Sequence, residues 1–327
     1  AMCAELALGR SYLRAPDDIA RAYEADPAAA TRWLLKRGAI VGVRGLGGFH
    51  IAADATNDET VRILREKKNR PAKPFALMCA SMDVVREIAE VGPEEEEALR
   101  SPWSPILLLR ARRDAGMRVS GRIAPNNNYL GVMLPYAPLH HLLFDDDLAV
   151  LIMTSANVAG EPIIADIETA RAGLAGITAT FLDHDREIVN RSDDSVVFFE
   201  GGAAMMSRRS RGHAPYPIRL PVEGEPVLAC GTELKNTFTL LNGGRAFVSQ
   251  HIGDLANRAT LDLYEEMVAK FTSWFRVEPA RVAYDLHPDY LATRFAKRYA
   301  AESSGRRLVG VQHHHAHIVS AMIENGE

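Results

Sequence analysis

Proline is the residue a folding chain accommodates least easily inside a helix or a central strand, because it lacks the backbone N–H and fixes φ. Four of the 17 prolines in this chain, Pro215, Pro217, Pro221 and Pro226, fall within twelve residues. Such a stretch is expected to deny regular pairing and to close one folding unit before another begins. The length agrees: at roughly 100 to 200 residues per domain, 327 residues favour two domains. The expected division is a first domain over 17–218, a linker over 219–226 and a second domain over 227–327.

A chain that is 47% hydrophobic and 24% charged matches soluble globular proteins, which excludes disordered, collagenous and disulfide-scaffold classes. With 38 basic against 42 acidic residues, the net charge is -4. No surface built wholly to grip nucleic acid or anionic lipid is expected, so phosphate binding must be local. Cys3, Cys79 and Cys230 are too few and too scattered for a disulfide framework or a closed four-ligand zinc site. That usage fits a reducing cytoplasm. No apolar run approaches the roughly 18 residues of a membrane span, and Ala1 to Leu13 lacks a signal pattern. A soluble cytoplasmic protein with no membrane partner is expected.

Periodicity predicts a helix from Asp17 to Arg37 closed by Gly38, a buried strand from Ala39 to Val43, and a glycine-rich turn at Gly45-Leu46-Gly47-Gly48. A second helix is expected from about Asp58 to Asn69, stopped at Arg70-Pro71 because the residue before proline leaves helical geometry. Strand-like runs recur at Phe75–Met78, Ile106–Leu109, Gly131–Leu134, Ala149–Met153 and Ser195–Phe199. Beyond the prolines the expected order is a strand at Val227–Gly231, a hairpin through Asn242-Gly243-Gly244, a helix at Ala259–Phe275, a strand at Val282–Asp285, a helix at Pro288–Ala301, a strand at Leu308–Val311 and a helix at His314–Glu324. Both halves read as α/β.

Three segments of the first half carry candidate chemistry. In the first, Lys68, Arg70 and Lys73 follow Arg62, Arg65 and Lys67. By charge alone this reads as a solvated helix end. The prolines at 71 and 74 instead force the basic side chains into a rigid turn that suits a triphosphate. In the second, Thr154-Ser155-Ala156-Asn157 follows an apolar run. It is either an ordinary capped turn or the ligand end of an α/β strand. The third joins Ser195 to Arg208, Arg209 and Arg211, as surface decoration or as a bidentate phosphate clamp.

Together these segments resemble the YrdC-like (Sua/YrdC) family. The resemblance rests on Lys68, Arg70 and Lys73-Pro74-Phe75, then Ser155, Asn157 and Gly160-Glu161-Pro162, then Ser195 and Arg211, across about 17–218. It implies a mixed α/β domain with a concave nucleotide groove that binds ATP with Mg2+ and forms an acyl adenylate with release of pyrophosphate. Lys68, Arg70 and Arg211 would neutralise phosphates, with Lys73 and Arg209 beside them, and Ser155, Asn157 and Ser195 would position the nucleotide. One stretch departs from the members that make threonylcarbamoyl adenylate. Their threonine-binding residues are replaced here by Val43 to His50. The sequence Gly45-Leu46-Gly47-Gly48-Phe49-His50, followed by Asp54-Ala55-Thr56-Asn57, resembles the HypF-type carbamoyltransferases of NiFe-hydrogenase maturation.

The second half carries His313-His314-His315-Ala316-His317. On a helix His313 and His317 project to one face about 6 Å apart along the axis, a spacing that lets two imidazoles share a metal. With Cys230 to Thr237, Ser249 to Leu255 and Tyr284-Asp285-Leu286-His287-Pro288, this region resembles the Kae-type ASKHA (actin-like ATPase) domain of the same carbamoyltransferases, present in part. The resemblance implies Fe or Zn at His313 and His317, completed by an aspartate further downstream. It also implies acylphosphatase and zinc-finger modules upstream, so the chain is expected to be a fragment. The activity implied is carbamoyl transfer: carbamate from carbamoyl phosphate is adenylated by ATP, and the carbamoyl group passes to a C-terminal cysteine of the partner HypE. Two alternatives stay open, threonylcarbamoyl-AMP synthesis for tRNA modification and a non-catalytic RNA-binding module. The net charge and the scarcity of aromatic platforms weigh against nucleic acid as a partner.

Overall fold

The computed structural model describes residues 24–112, 119–157 and 160–327, together with the backbone of a short antiparallel pair, β1 (Glu5–Leu8) and β2 (Ser11–Arg14). Cys3, the helix start expected at Asp17, and Val158-Ala159 lie outside the described side chains. The chain divides into two compact units, Ala1–Ala159 with Ile163–Gly212, and Gly160–Pro162 with His213–Glu327. The first unit ends at Gly212, just before the proline-rich stretch that begins at Pro215.

The first unit is built on strands β3 (Val41–Arg44), β4 (Phe49–Asp54), β5 (Ala76–Cys79), β6 (Ile106–Arg110), β7 (Tyr129–Met133), β8 (Val150–Ser155), β9 (Phe181–Leu182), β10 (Val196–Glu200) and β11 (Ala203–Arg208). They form one mixed sheet in the order β11-β10-β6-β7-β5-β8-β4-β3-β9. Alternate residues of a strand enter different apolar clusters: Ile51, Leu77, Val132 and Ile152 pack in one, Ala52, Met78, Met133, Leu151 and Met153 in another. The sheet is therefore covered on both faces. That is why its strands read as continuous apolar runs instead of alternating ones.

Local capping sets the helices. Asp26 accepts from Ala29 N at 2.9 Å, Pro27 occupies the first turn, and Gly38, at φ +81°, follows the helix Pro27–Lys36. This is the arrangement in which proline starts a helix and glycine ends it. Asn57 caps Thr60 N at 3.0 Å and opens the helix Asp58–Lys67. The helix stops earlier than the proline argument places it. Asn69 turns left-handed at φ 47°, and Arg70 N returns to Arg65 O at 3.0 Å, so a closing turn ends the helix before Pro71 acts. The glycine-rich stretch is the turn of the β3–β4 hairpin, with Gly45 N bonded to Gly48 O at 2.9 Å. A Cβ on Gly47 would stand 2.2 Å from the Ser192 carbonyl oxygen, so only glycine fits there.

The second unit carries β12 (Ile218–Arg219), β13 (Val227–Ala229), β14 (Thr239–Asn242), β15 (Arg245–Val248), β16 (Arg281–Asp285) and β17 (Arg307–Val311) in the order β12-β15-β14-β13-β16-β17. β12 corrects the expectation that the prolines forbid pairing. Between Pro217 and Pro221 the chain holds two residues of edge strand, Ile218 opposite Ala246 and Arg219 opposite Arg245. Edge strands tolerate flanking prolines because only one side needs donors. Gly243 and Gly244, at φ 54° and 70°, form the two-residue turn of the β14–β15 hairpin. The helices Arg258–Phe275 and Leu291–Ala301 pack Tyr264, Met267, Phe271 and Phe295 onto Leu228, Leu240 and Val282. The latter helix starts at Leu291, later than the Pro288 expected. Among the described residues, no helix is long and apolar enough to cross a membrane.

Candidate functional site

The helix Asp58–Lys67 delivers Lys68 and Arg70 to the end of β8. Along β8, Ile152 faces one apolar cluster and Met153 the other, so Thr154 and Ser155 continue onto opposite faces. Lys68 Nζ donates to the Ser155 carbonyl at 2.9 Å, and Arg70 Nη1 donates to Thr154 Oγ1 at 3.1 Å. The two cations thereby bracket the strand end. Burial, with Arg70 and Lys73 nearby, pulls the Lys68 ammonium down to about 8. Burial, with Arg65 and Arg208 nearby, pulls the Arg70 guanidinium down to about 10. Neither shift would arise if the charges were satisfied by carboxylates; they mark positive charge held partly out of water. Lys73 is exposed. Ser155 Oγ donates to Asn157 Oδ1 at 3.2 Å, so these two expected residues act as one polar pair.

Arg65 supports this loop from behind. Its buried guanidinium donates to the carbonyls of Arg70, Lys73, Arg122 and Ile123. Arg70 donates in turn to the carbonyls of Lys73 and Pro74. Both guanidiniums lie against the Phe75 ring, whose centroid is 4.6 Å from Arg65 Cζ and 4.9 Å from Arg70 Cζ. The basic run at 62–73 therefore divides. Arg62 pairs with Glu59 and Glu66 on the helix surface, while Arg65 turns inward.

The third expected segment is arranged differently. Ser195 is fully buried; its hydroxyl donates to Arg211 O and accepts from Ser210 N, both at 2.8 Å. That hydroxyl is spent on the backbone, where it locks 208–211 against 195. Arg211 Nε donates to Asp194 Oδ1 at 2.8 Å, Nη2 donates to Ser104 O at 2.8 Å, and the guanidinium lies 3.5 Å over the Tyr136 ring. Burial acts against the Arg211 charge, but Asp194 outweighs it and the pKa rises. Arg211 is thus an internal ion pair. Arg209 is half-buried, and burial lowers its pKa.

Sequence reasoning did not pick out the cluster around that ion pair. Tyr136 OH lies 3.0 Å from His50 Nε2, beneath the Arg211 guanidinium. His140, fully buried on the short helix Pro138–His141, stands edge-on to both rings, at 4.5 Å from Tyr136 and 6.1 Å from His50. Burial pushes the His50 imidazole down, and burial with His50 nearby pushes His140 down to about 3, so both rings are neutral near pH 7. His50 Nδ1 and both His140 nitrogens are buried without a hydrogen-bond partner. The one legible sign was His50 at the end of the glycine turn.

In the second unit, His313 Nε2 and His317 Nε2 converge to 3.1 Å. His313 Nδ1 meets Asp285 Oδ2 at 2.7 Å, and Asp285 Oδ1 accepts from His287 N at 2.8 Å. The carboxylate orients the His313 ring through Nδ1 and leaves Nε2 facing His317. Imidazole nitrogens that converge on one side of a helix are donors suited to Fe or Zn. Among the described residues, no group of three or more His, Cys, Asp or Glu side chains could hold a metal, so the pair is an incomplete donor set. A cavity of ≈650 Å³ at β6, β7 and β10, lined by Glu90, Glu95, Arg110, Tyr129 and Glu200, contains none of the expected residues, and its acids disfavour phosphate.

Known proteins bear on both units. Residues 33–210 match the Sua5/YciO/YrdC family, described as telomere recombination, and residues 222–324 match the HypF Kae1-like domain. The carbamoyltransferase HypF2 of Cupriavidus necator is 44% identical over 320 residues, 93% of this chain and 39% of that protein. The carbamoyltransferase HypF of Rhizobium leguminosarum bv. viciae is 42% identical over 298 residues, 89% of this chain and 38% of that protein. A crystal structure of full-length HypF in its phosphate- and nucleotide-bound form is similar with a TM-score of 0.85 and 44% identity, covering 92% of this chain and 39% of that one. The chain therefore spans about 39% of the length of these relatives. It belongs to the Sua5/YciO/YrdC family and carries, after that domain, a HypF Kae1-like domain.

Proposed function

We propose that the chain is the carbamoyl-activating portion of a HypF-type carbamoyltransferase that serves hydrogenase maturation. A carboxylate oxygen of carbamate, released from carbamoyl phosphate elsewhere in the longer protein, attacks the α-phosphorus of ATP. The bond from the α-phosphorus to the bridging oxygen breaks, and pyrophosphate leaves with both bonding electrons, giving carbamoyl adenylate. Charge builds on the departing pyrophosphate, and fixed cations that need no reorganisation stabilise it best. The observation that carries this reading is the placement of Lys68 and Arg70 at the end of β8, bonded only to neutral oxygens. Lys73 and Arg209 add positive charge, and the Ser155–Asn157 pair offers hydroxyl and amide contacts to the nucleoside. Mg2+ bound with ATP would supply further charge neutralisation at the β- and γ-phosphates.

The second step is carbamoyl transfer in the Kae1-like domain. The cysteine thiolate at the C-terminus of HypE attacks the carbamoyl carbon, the carbon–oxygen bond to AMP breaks, and AMP leaves. His313 and His317 would hold Fe or Zn through Nε2, and such an ion supplies Lewis-acid polarisation.

Carbamate-dependent exchange of pyrophosphate into ATP tests the reading. Lys68→Ala and Arg70→Ala are each expected to lower the exchange by roughly 100-fold. Undiminished exchange in both overturns it. Exchange that requires threonine as well as bicarbonate redirects the chain to threonylcarbamoyl adenylate synthesis.

A further inference from the structure

Asp285 ends β16 directly opposite Val311, the last residue of β17, and Gln312 then leads the chain into the helix His313–Glu324. The strand pairing therefore fixes where that helix begins. The Asp285 carboxylate is held from several sides: Oδ1 accepts from His287 N at 2.8 Å, Oδ2 meets His313 Nδ1 at 2.7 Å, and Thr293 Oγ1 donates to the Asp285 carbonyl at 2.8 Å. Its side chain is 6% exposed, against 49% for His313. Among the described residues His313 is its one ion-pair partner. A carboxylate withdrawn from water with no lysine or arginine beside it is costly as a device for stability alone. Its placement points to a task for the ring it holds.

The helix that carries the ring is otherwise poorly attached. None of the residues His313–Glu324 is buried, and a helix of this length is marginal in water by itself. Among the described residues, the side-chain bond that ties it to the sheet is the one from His313 to Asp285. One turn on, His317 stands edge-on to His313, with ring centroids 4.8 Å and Nε2 atoms 3.1 Å apart. Two nitrogens bound to one tetrahedral zinc ion stand roughly 3.4 Å apart. The pair thus needs little movement to take an ion. A His313 ring turned over would offer Nδ1 in place of Nε2, and the carboxylate prevents this by occupying Nδ1.

We infer that Asp285 is the positioning residue of the histidine pair: it holds His313 by Nδ1 so that Nε2 receives the ion, and it ties the first turn of the helix to β16, so that an ion shared with His317 secures the helix as well as the site. The inference rests on the reading of His313 and His317 as metal donors proposed above. It gives a nearly buried carboxylate a reason to face an imidazole, and it gives a helix without buried side chains a means of attachment.

Zn2+ titration of the 327-residue chain in competition with a chromophoric chelator separates the two ideas. Asp285→Asn keeps both imidazoles and the size of the side chain but removes the charged acceptor from Nδ1. It should weaken Zn2+ binding roughly 10- to 100-fold. His317→Ala, which removes a donor, should weaken it at least roughly tenfold. Hydrogen exchange gives a second readout: Zn2+ should slow the amides of 313–324 roughly tenfold in the unaltered chain and far less in Asp285→Asn. Nitrogen NMR of the His313 ring gives a third, which a merely structural role for Asp285 would not move: Zn2+ on Nε2 in the unaltered chain, and on both nitrogens in turn in Asp285→Asn. Should that variant not fold, the ring spectrum of the unaltered chain still decides. Unchanged Zn2+ affinity in Asp285→Asn, Zn2+ on His313 Nδ1 in the unaltered chain, or helix amides that Zn2+ does not slow overturns the inference while leaving the metal reading intact. No Zn2+ binding by the unaltered chain, or equal affinity in His317→Ala, overturns the metal reading itself.

Discussion

Two arginine-bearing segments of the first unit read alike as sequence and differ as structure. At 68–73 the cations give their hydrogen bonds to carbonyls and a threonine hydroxyl. At 208–211 Arg211 gives its bond to a buried carboxylate, and Ser195 gives its own to the backbone. Both segments are positively charged on paper. The first keeps Lys68 and Arg70 off carboxylates, whereas in the second the Arg211 charge is taken up by Asp194. What a cation can offer a phosphate depends on what already holds it, and that is decided by the fold.

The largest expected effect that would break this contrast concerns stability. Asp194→Ala strands the Arg211 guanidinium in the interior, and the first unit should lose about 3–5 kcal/mol, read by urea unfolding. Affinity for ATP, measured by calorimetry, should change little. A stable variant with weak ATP binding would return Arg211 to the phosphates. Next in size is Arg70→Ala, expected to slow pyrophosphate exchange roughly 100-fold, or about 2.7 kcal/mol, with an unfolding midpoint close to the parent. Ser195→Ala should cost about 1–3 kcal/mol of stability, because Ser210 N and Arg211 O lose a buried partner. If Ser195→Ala keeps its stability and loses nucleotide affinity instead, the hydroxyl contacts the ligand. The smallest effect is a pH dependence. Lys68, near 8 in the free protein, carries its charge below that value and loses it above. ATP affinity should therefore fall roughly tenfold between pH 7 and pH 9, and Lys68→Arg should flatten the profile.

How much of this was legible before folding depends on how local the cause is. Asn57 ahead of an amphipathic run, Asn242-Gly243-Gly244 between two apolar runs, and the basic residues before Pro71 and Pro74 act through their immediate neighbours. The pairing of Asp194 with Arg211 does not. It depends on β10 and β11 folding back on each other, with a register shift at Val196/Val197, and no composition or spacing gives that. His50 was hidden for a related reason: alternation places it on the same face as Ala52, where a polar side chain signals nothing until Tyr136 and His140 arrive from distant parts of the chain. The two-residue strand between Pro217 and Pro221 shows the converse limit. Proline count predicted an interruption, whereas an edge position needs few donors and admits a short pair.

Phe75 has a consequence for how the basic loop at 68–74 keeps its charge. Two guanidiniums face one ring, and the ring's electron-rich surface quiets their repulsion without a formal negative charge. A carboxylate in that place would do the same and then compete with any incoming anion, whereas an aromatic ring stabilises the loop and leaves its positive charge in place. Phe75 thereby serves as a counter-ion that never has to be displaced.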